Sequence, residues 1–120
     1  MTLINSFYTV ESQNIADKTA EFQIKLNAEH FIYQAHFPNN PITPGVCLIQ
    51  MVVELFGLTK NTNFRLKVLK NVKFTAPISP LESSKIDFLL EFTELENLWH
   101  IKTTIKDEDK GFAKISMILV

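Results

Sequence analysis

The chain has 120 residues, enough for one domain with a real core and too few for two. A hydrophobic content of 46% and a charged content of 21% suit a soluble globular domain. A net charge of −1 leaves no global field to argue for nucleic acid or an anionic membrane, and a single cysteine, Cys47, excludes an internal disulfide. A reducing cytoplasm is therefore the expected compartment. Met1 to Ser6 lacks a basic region followed by an apolar core, so no signal peptide is expected. No apolar run has the length of a membrane span, since Gln50 and Glu54 interrupt the longest one.

Phe7 to Val10 is a short strand candidate. Thr19 to Leu26 alternates strictly, with Ala20, Phe22, Ile24 and Leu26 on one face, which predicts a half-buried strand. Residues 27–44 read as an irregular, proline-rich stretch. Three of the five prolines (Pro38, Pro41 and Pro44) fall within seven residues. Thr43 is the expected N-cap and Pro44 suits a first helical turn, where a missing N–H costs nothing. The helix then runs to about Leu58, with Gly57 weakening its end. Strands are predicted at Arg65 to Thr75, Lys85 to Thr93, Leu98 to Lys106 and Gly111 to Val120. Turns at 94–97 and 107–111 make the last three strands a meander.

The order β-β-loop-α-β-β-β-β with one greasy helix predicts an α+β domain spanning 1–120, an antiparallel sheet of about six strands curled around one long central helix. At 100° per residue, Cys47, Gln50 and Glu54 fall within about 60° of one another and form one polar stripe on that helix. A lone sheet of this kind leaves an edge and a greasy face open, and pairing with another subunit covers them.

Two motifs carry a resemblance. His36-Phe37-Pro38-x-x-Pro41-x-x-Pro44-Gly45-Val46 resembles the signature of the hot-dog-fold 3-hydroxyacyl-[acyl-carrier-protein] dehydratases of bacterial fatty acid synthesis. Phe74-x-x-Pro77-Ile78-x-Pro80-Leu81-Glu82 is similar to that family's second conserved run, with Leu81 where the family has glycine. The resemblance implies a hot-dog fold and the removal of water from a 3-hydroxyacyl thioester carried on acyl carrier protein, without cofactor. It also implies a dimer in which each site joins the histidine of one chain to the helix carboxylate of the other.

That chemistry needs a base with a pKa near 7 and N–H donors where charge develops on the thioester oxygen. His36 is the expected base. The Gly45 N–H at the helix start, with Val46 beside it, is the expected oxyanion donor, and the Ile42 carbonyl would orient the imidazole by resemblance. Tyr33, Phe37, Pro44, Cys47 and Met51 are the candidate lining of an acyl tunnel beside the helix. The family's acid, a Glu or Asp, stands fourteen residues after the histidine; here that position is Gln50, which has no proton to give at neutral pH. One turn on stands Glu54, so the pair looks exchanged, and Gln50 and Glu54 complete the candidate catalytic set.

Other readings weigh against these. Glu54 also reads as a carboxylate bonded to backbone or to a basic side chain, and Cys47 as a small core residue. His100 reads as solvent-facing and His30 as a surface residue. Three histidines without ligand spacing predict no metal site. Lys60, Arg65, Lys67, Lys70 and Lys73 place five positive charges in fourteen residues without an acid between them. They read either as a solvated strand rim or as a dock for an acidic acyl carrier protein; nucleic acid fits poorly, because the charge is local. The leading functional reading is a dehydratase acting in fatty acid or polyketide-like synthesis, as a homodimer, heterodimer or higher oligomer. Beside it stand a non-catalytic subunit that binds acyl thioesters or completes a partner's site, and a hot-dog thioesterase.

Overall fold

The computed structural model describes residues 2–35 and 39–120; Met1, His36, Phe37 and Pro38 lie outside the described residues. Strands β1 (Tyr8–Ile15) and β2 (Thr19–Leu26) are followed by a short helix α1 (Phe31–Ala35), the central helix α2 (Gly45–Lys60), and strands β3 (Leu66–Phe74), β4 (Lys85–Leu95), β5 (Leu98–Asp107) and β6 (Lys110–Leu119). All six strands join one antiparallel sheet in the order β1-β2-β4-β5-β6-β3, so β1 and β3 are its edges.

The alternation read from the sequence sets the core. Inward residues line up across the sheet in rows: Phe22, Phe88, Ile105, Ala113 and Phe74 form one, and Ala20, Leu90, Thr103, Ile115 and Val72 the next. Phe22, Phe88, Ile105, Ala113, Ala20, Leu90 and Ile115 of these rows share one buried cluster with Cys47, Leu48, Met51, Val52, Leu55 and Phe56 of α2, and Val72 packs against it. The meander closes through a tight turn in which Glu96 (φ 53°) and Asn97 (φ 65°) both take the left-handed conformation that two-residue hairpins demand.

Four details differ from the sequence expectation. β1 runs to Ile15, well past Val10, because residues 12–15 pair with β2 beyond a bulge at Glu11 although none is buried, so no apolar alternation marks them. Phe31–Ala35 forms one helical turn inside the stretch expected to be irregular. Pro44, not Thr43, is the N-cap of α2, with extended φ and ψ and no side-chain cap bond. Gly57 lies inside the helix rather than at its end. Its carbonyl accepts from the N–H of Asn61, which is left-handed (φ 52°), and a Cβ at Gly57 would lie 2.9 Å from the Thr62 carbonyl, so the missing side chain lets the chain fold back there.

Among the described residues no helix is long and apolar enough to cross a membrane. Outside the core, β3 stands apart. Two irregularities in its pairing with β6 break its alternation, and Leu66, Val68 and Leu69 remain exposed along the edge.

Candidate active site

The two sequence motifs meet at the start of α2. The Thr43 N–H donates to the Ile78 carbonyl at 2.8 Å, tying the proline-rich stretch to the run after β3. The Thr43 hydroxyl pairs with the Tyr33 hydroxyl at 2.8 Å, and the Tyr33 ring stacks on Phe7 at 4.9 Å. Thr43 is thus spent on fixing the loop rather than on capping the helix. Burial pushes the Tyr33 phenol upward, with the Thr43 bond acting the other way.

The Pro44 carbonyl accepts from the Cys47 N–H at 3.0 Å and from the Leu48 N–H at 3.4 Å. The two preceding donors, the Gly45 and Val46 N–H groups, have no partner in the helix itself. A cavity of about 350 Å³ opens at this point, lined by Ile42, Gly45 and Leu48 from the helix side and by Phe74, Ala76 and Ile78 from the second motif. The Phe74 ring lies directly over Gly45. A Cβ at Gly45 would stand 2.6 Å from the ring's Cζ, so the glycine makes room for the ring as well as for a ligand. The N–H groups without helical partners and the positive end of the helix make this wall of the cavity a place for developing negative charge.

A second group sits on a different side of α2. The Glu54 carboxylate accepts four hydrogen bonds: Oε1 from the Ile4 N–H at 2.8 Å and the Tyr8 hydroxyl at 3.0 Å, and Oε2 from the Leu3 N–H and the Gln50 side-chain amide, both at 2.8 Å. Every acceptor position of the carboxylate is occupied. Burial, then the Glu54 charge and bond, push the Tyr8 phenol well above its ordinary range, so it stays a donor. Gln50 and Glu54 line a groove of about 790 Å³ with Thr2, Ile4 and Val53. Backbone donors were one reading of Glu54 from the sequence, but which residues supply them was not legible, since a backbone N–H leaves no signature there.

Geometry keeps these two places apart within one chain. Gln50 lies about 140° round the helix from Gly45, and Glu54 about 180°. Between them runs an apolar stripe of Val46, Ile49 and Val53, of which Val46 is 65% exposed. The described residues therefore bring Ile42, Pro44, Gly45 and Val46 together and set Gln50 and Glu54 together elsewhere. Cys47 is not part of the polar stripe. It turns into the core with Met51 and Tyr33, all three buried and none lining either cavity, and burial pushes its thiol up. His36 and Phe37 lie outside the described residues.

The sequence model of the ApeI-like family, described as ApeI dehydratase, matches residues 11–114. The chain belongs to the ApeI-like dehydratase family. It is 27% identical over 84 residues to the 3-hydroxyacyl-[acyl-carrier-protein] dehydratase FabZ of Rickettsia canadensis, covering 63% of this chain and 58% of the relative. The FabZ of Rickettsia akari is 26% identical over 90 residues, 68% of this chain and 61% of that one. The chain thus spans about three fifths of the length of the curated relatives it matches.

Among solved structures, the dehydratase heterocomplex ApeI:P of Xenorhabdus doucetiae matches with a TM-score of 0.67 at 21% identity, over 92% of this chain and 95% of that one. A hypothetical thioesterase with coenzyme A from Streptococcus pneumoniae matches with a TM-score of 0.64 at 10% identity, over 94% and 85%. These likenesses establish the hot-dog fold, which the six-stranded sheet and its helix share.

The basic run of this ApeI-like chain divides on inspection. The Lys60 ammonium lies over the Trp99 ring at 4.5 Å and the Phe92 ring at 5.0 Å, at the far end of α2 from Gly45. The Arg65 backbone pairs with Val120. Lys67, Lys70 and Lys73 are exposed on the β3 edge. Lys70 also reaches a groove of about 570 Å³ that Lys18, His100 and Lys102 line.

Proposed function

We propose that this chain is a subunit of a 3-hydroxyacyl thioester dehydratase whose site is shared between two hot-dog chains. His36 and the Gly45 and Val46 N–H groups come from one chain, and the residue facing the substrate hydroxyl comes from the other. The observation that carries this reading is the separation around α2. Oxyanion donors and Gln50 lie about 140° apart on one helix, so a single chain cannot close both around one thioester. Exposed Val46, with the half-buried Ile49 and Val53 beside it, and the apolar edge of β3 supply the face on which a second subunit rests.

In this reading the base removes the C2 proton while the Gly45 N–H, at the positive end of the helix, takes the charge that moves onto the thioester oxygen. The leaving hydroxyl needs a proton. Gln50 has none to give, and Glu54 has both oxygens engaged by four donors. The acid at a fully active site is therefore a carboxylate from a different hot-dog partner, and the chain paired with itself binds acyl thioesters and turns them over slowly. Lys67, Lys70 and Lys73 are the part of the basic run placed to meet an acidic acyl carrier protein, because Lys60 is held over its two rings.

Dehydration, and the reverse hydration, of 3-hydroxyacyl-[acyl carrier protein] tests this in wild type, Gln50→Glu and His36→Ala. Gln50→Glu is expected to raise the rate by about 10²–10⁴-fold, the usual worth of a positioned general acid, and His36→Ala to abolish it in either background. Full wild-type activity that survives His36→Ala would sink the reading.

The second reading, a pair that binds 3-hydroxyacyl thioesters without dehydrating them, is favoured by the same engaged Glu54. It predicts no gain in Gln50→Glu.

A further inference from the structure

We infer that the groove of about 570 Å³ on the face of the sheet turned away from α2 binds a phosphorylated sugar, free or as part of a nucleotide. Its floor follows one row of the strand register. Thr19 stands opposite Glu91, Glu91 opposite Lys102, Lys102 opposite Ser116 and Ser116 opposite Asn71, so the row crosses β2, β4, β5, β6 and β3. At about 4.8 Å per strand the row is about 19 Å long. Lys18 adjoins it at the β2 end, Lys102 lies in the middle and Lys70 adjoins it at the β3 end.

An irregularity in the edge strand feeds this groove. Successive side chains of a regular strand point to opposite faces, yet Lys70 and Asn71 both line it. The pairing with β6 steps from Leu69 and Met117 directly to Asn71 and Ser116, which leaves Lys70 as the extra residue of a bulge. A bulge re-aims a side chain in this way. The lysines here are also uncommitted. Lys60 and Lys110 lie over aromatic rings and Lys85 pairs with Glu11, whereas Lys18, Lys70 and Lys102 have no such partner among the described residues.

Three such ammoniums around a concave place of small-molecule size attract an anion. An ammonium is a point charge that suits phosphate. The flat fork that matches a carboxylate belongs to arginine, and no arginine lines the groove among the described residues. Glu91 narrows the class further. It stands between Lys18 and Lys102, where it repels an unbroken run of negative charge, such as an acidic peptide or a nucleic acid strand, and accepts from hydroxyl groups. Phosphate at the lysines and a hydroxylated ring at Glu91 together describe a sugar phosphate.

Isothermal titration of the intact chain with ADP, ribose 5-phosphate, inorganic pyrophosphate and a short glutamate peptide tests this. ADP or ribose 5-phosphate is expected to bind with a Kd below about 1 mM, and the tighter of the two tells nucleotide from free sugar phosphate. Pyrophosphate should bind at least about tenfold more weakly, and Glu91→Gln should bring it within about threefold of the sugar phosphate. Lys70→Gln and Lys102→Gln should each weaken sugar phosphate binding about tenfold, the usual worth of a charge-assisted hydrogen bond. Lys114→Gln removes the same charge from the same face outside the groove and should change binding by less than about twofold. All of these side chains are exposed, so the variants should melt as wild type does. Three results each overturn the inference: neither sugar phosphate binds; Lys114→Gln weakens binding as much as Lys102→Gln; or pyrophosphate or the glutamate peptide binds wild type as tightly as the sugar phosphates.

Discussion

The two sides of helix α2 are built on opposite principles. At its start, Gly45 and Val46 keep N–H groups without helical partners, no side chain caps the helix, and a cavity opens beside a glycine. Half a turn away round the axis, Glu54 spends both oxygens on four donors, three of them from the N-terminal segment. Unmet hydrogen-bonding capacity in a concave place invites a ligand, whereas met capacity holds structure together. A carboxylate at an expected catalytic position is therefore not, by its presence alone, a catalytic acid. What surrounds it decides.

That contrast can be broken from either side. Glu54→Ala should have the largest effect on folding. It strips four donors of their acceptor, and a loss of about 4 kcal/mol is expected, since each partly buried donor left without a partner costs on the order of 1 kcal/mol. Chemical denaturation measures it. Gly45→Ala comes next. Its Cβ would press on the Phe74 ring, and overpacking of this kind costs about 1–3 kcal/mol. Phe74 is 53% exposed and free to swing outward, so the lower end is expected, together with a narrowed cavity and weaker thioester binding by titration.

Tyr8→Phe should cost only about 1 kcal/mol near neutral pH, the worth of one hydrogen bond, and it should change the alkaline limb of the stability curve. The folded-state pKa of Tyr8 is raised, so its contribution is fully present below the ordinary tyrosine value of 10.0 and is lost as pH rises past it, where the unfolded chain ionises first. The variant is therefore expected to lose stability less steeply above pH 10 than wild type. Tyr33, raised in the same direction, keeps part of the slope.

The fold was legible because period-2 alternation and buried strands coincide from Thr19 through the meander, and because the single apolar helix had to be wrapped. β1 was half legible. Ser12 to Ile15 pair through their backbone alone, and backbone pairing leaves no hydrophobic rhythm. The site was legible where a residue type is itself the signal, as with Gly45 after Pro44 and with Gln50 in place of an acid. It was illegible where geometry decides. Angular spacing placed Cys47, Gln50 and Glu54 within about 60° of one another, yet the helix turns Cys47 into the core and leaves the other two at the groove. That backbone could engage Glu54 was one reading of the sequence, but the partners themselves, the N–H groups of Leu3 and Ile4, lie about fifty residues away and could not be named. The basic run read as one patch, but Lys60 is drawn off by Trp99 and Phe92, rings that only the fold brings near.

The central claim is that one site takes its parts from two chains, and a mixing experiment tests it most directly. Wild-type chains carry His36 but no acid at position 50. Chains with both His36→Ala and Gln50→Glu carry the acid but no base. Each alone should be inactive or nearly so toward 3-hydroxyacyl-[acyl carrier protein]. Co-refolded together, they should regain dehydration at a substantial fraction of the Gln50→Glu rate, because mixed pairs place His36 of one chain against the new carboxylate of the other. A mixture that stays as inactive as its components, while Gln50→Glu alone is active, would place base and acid within a single chain and contradict the account.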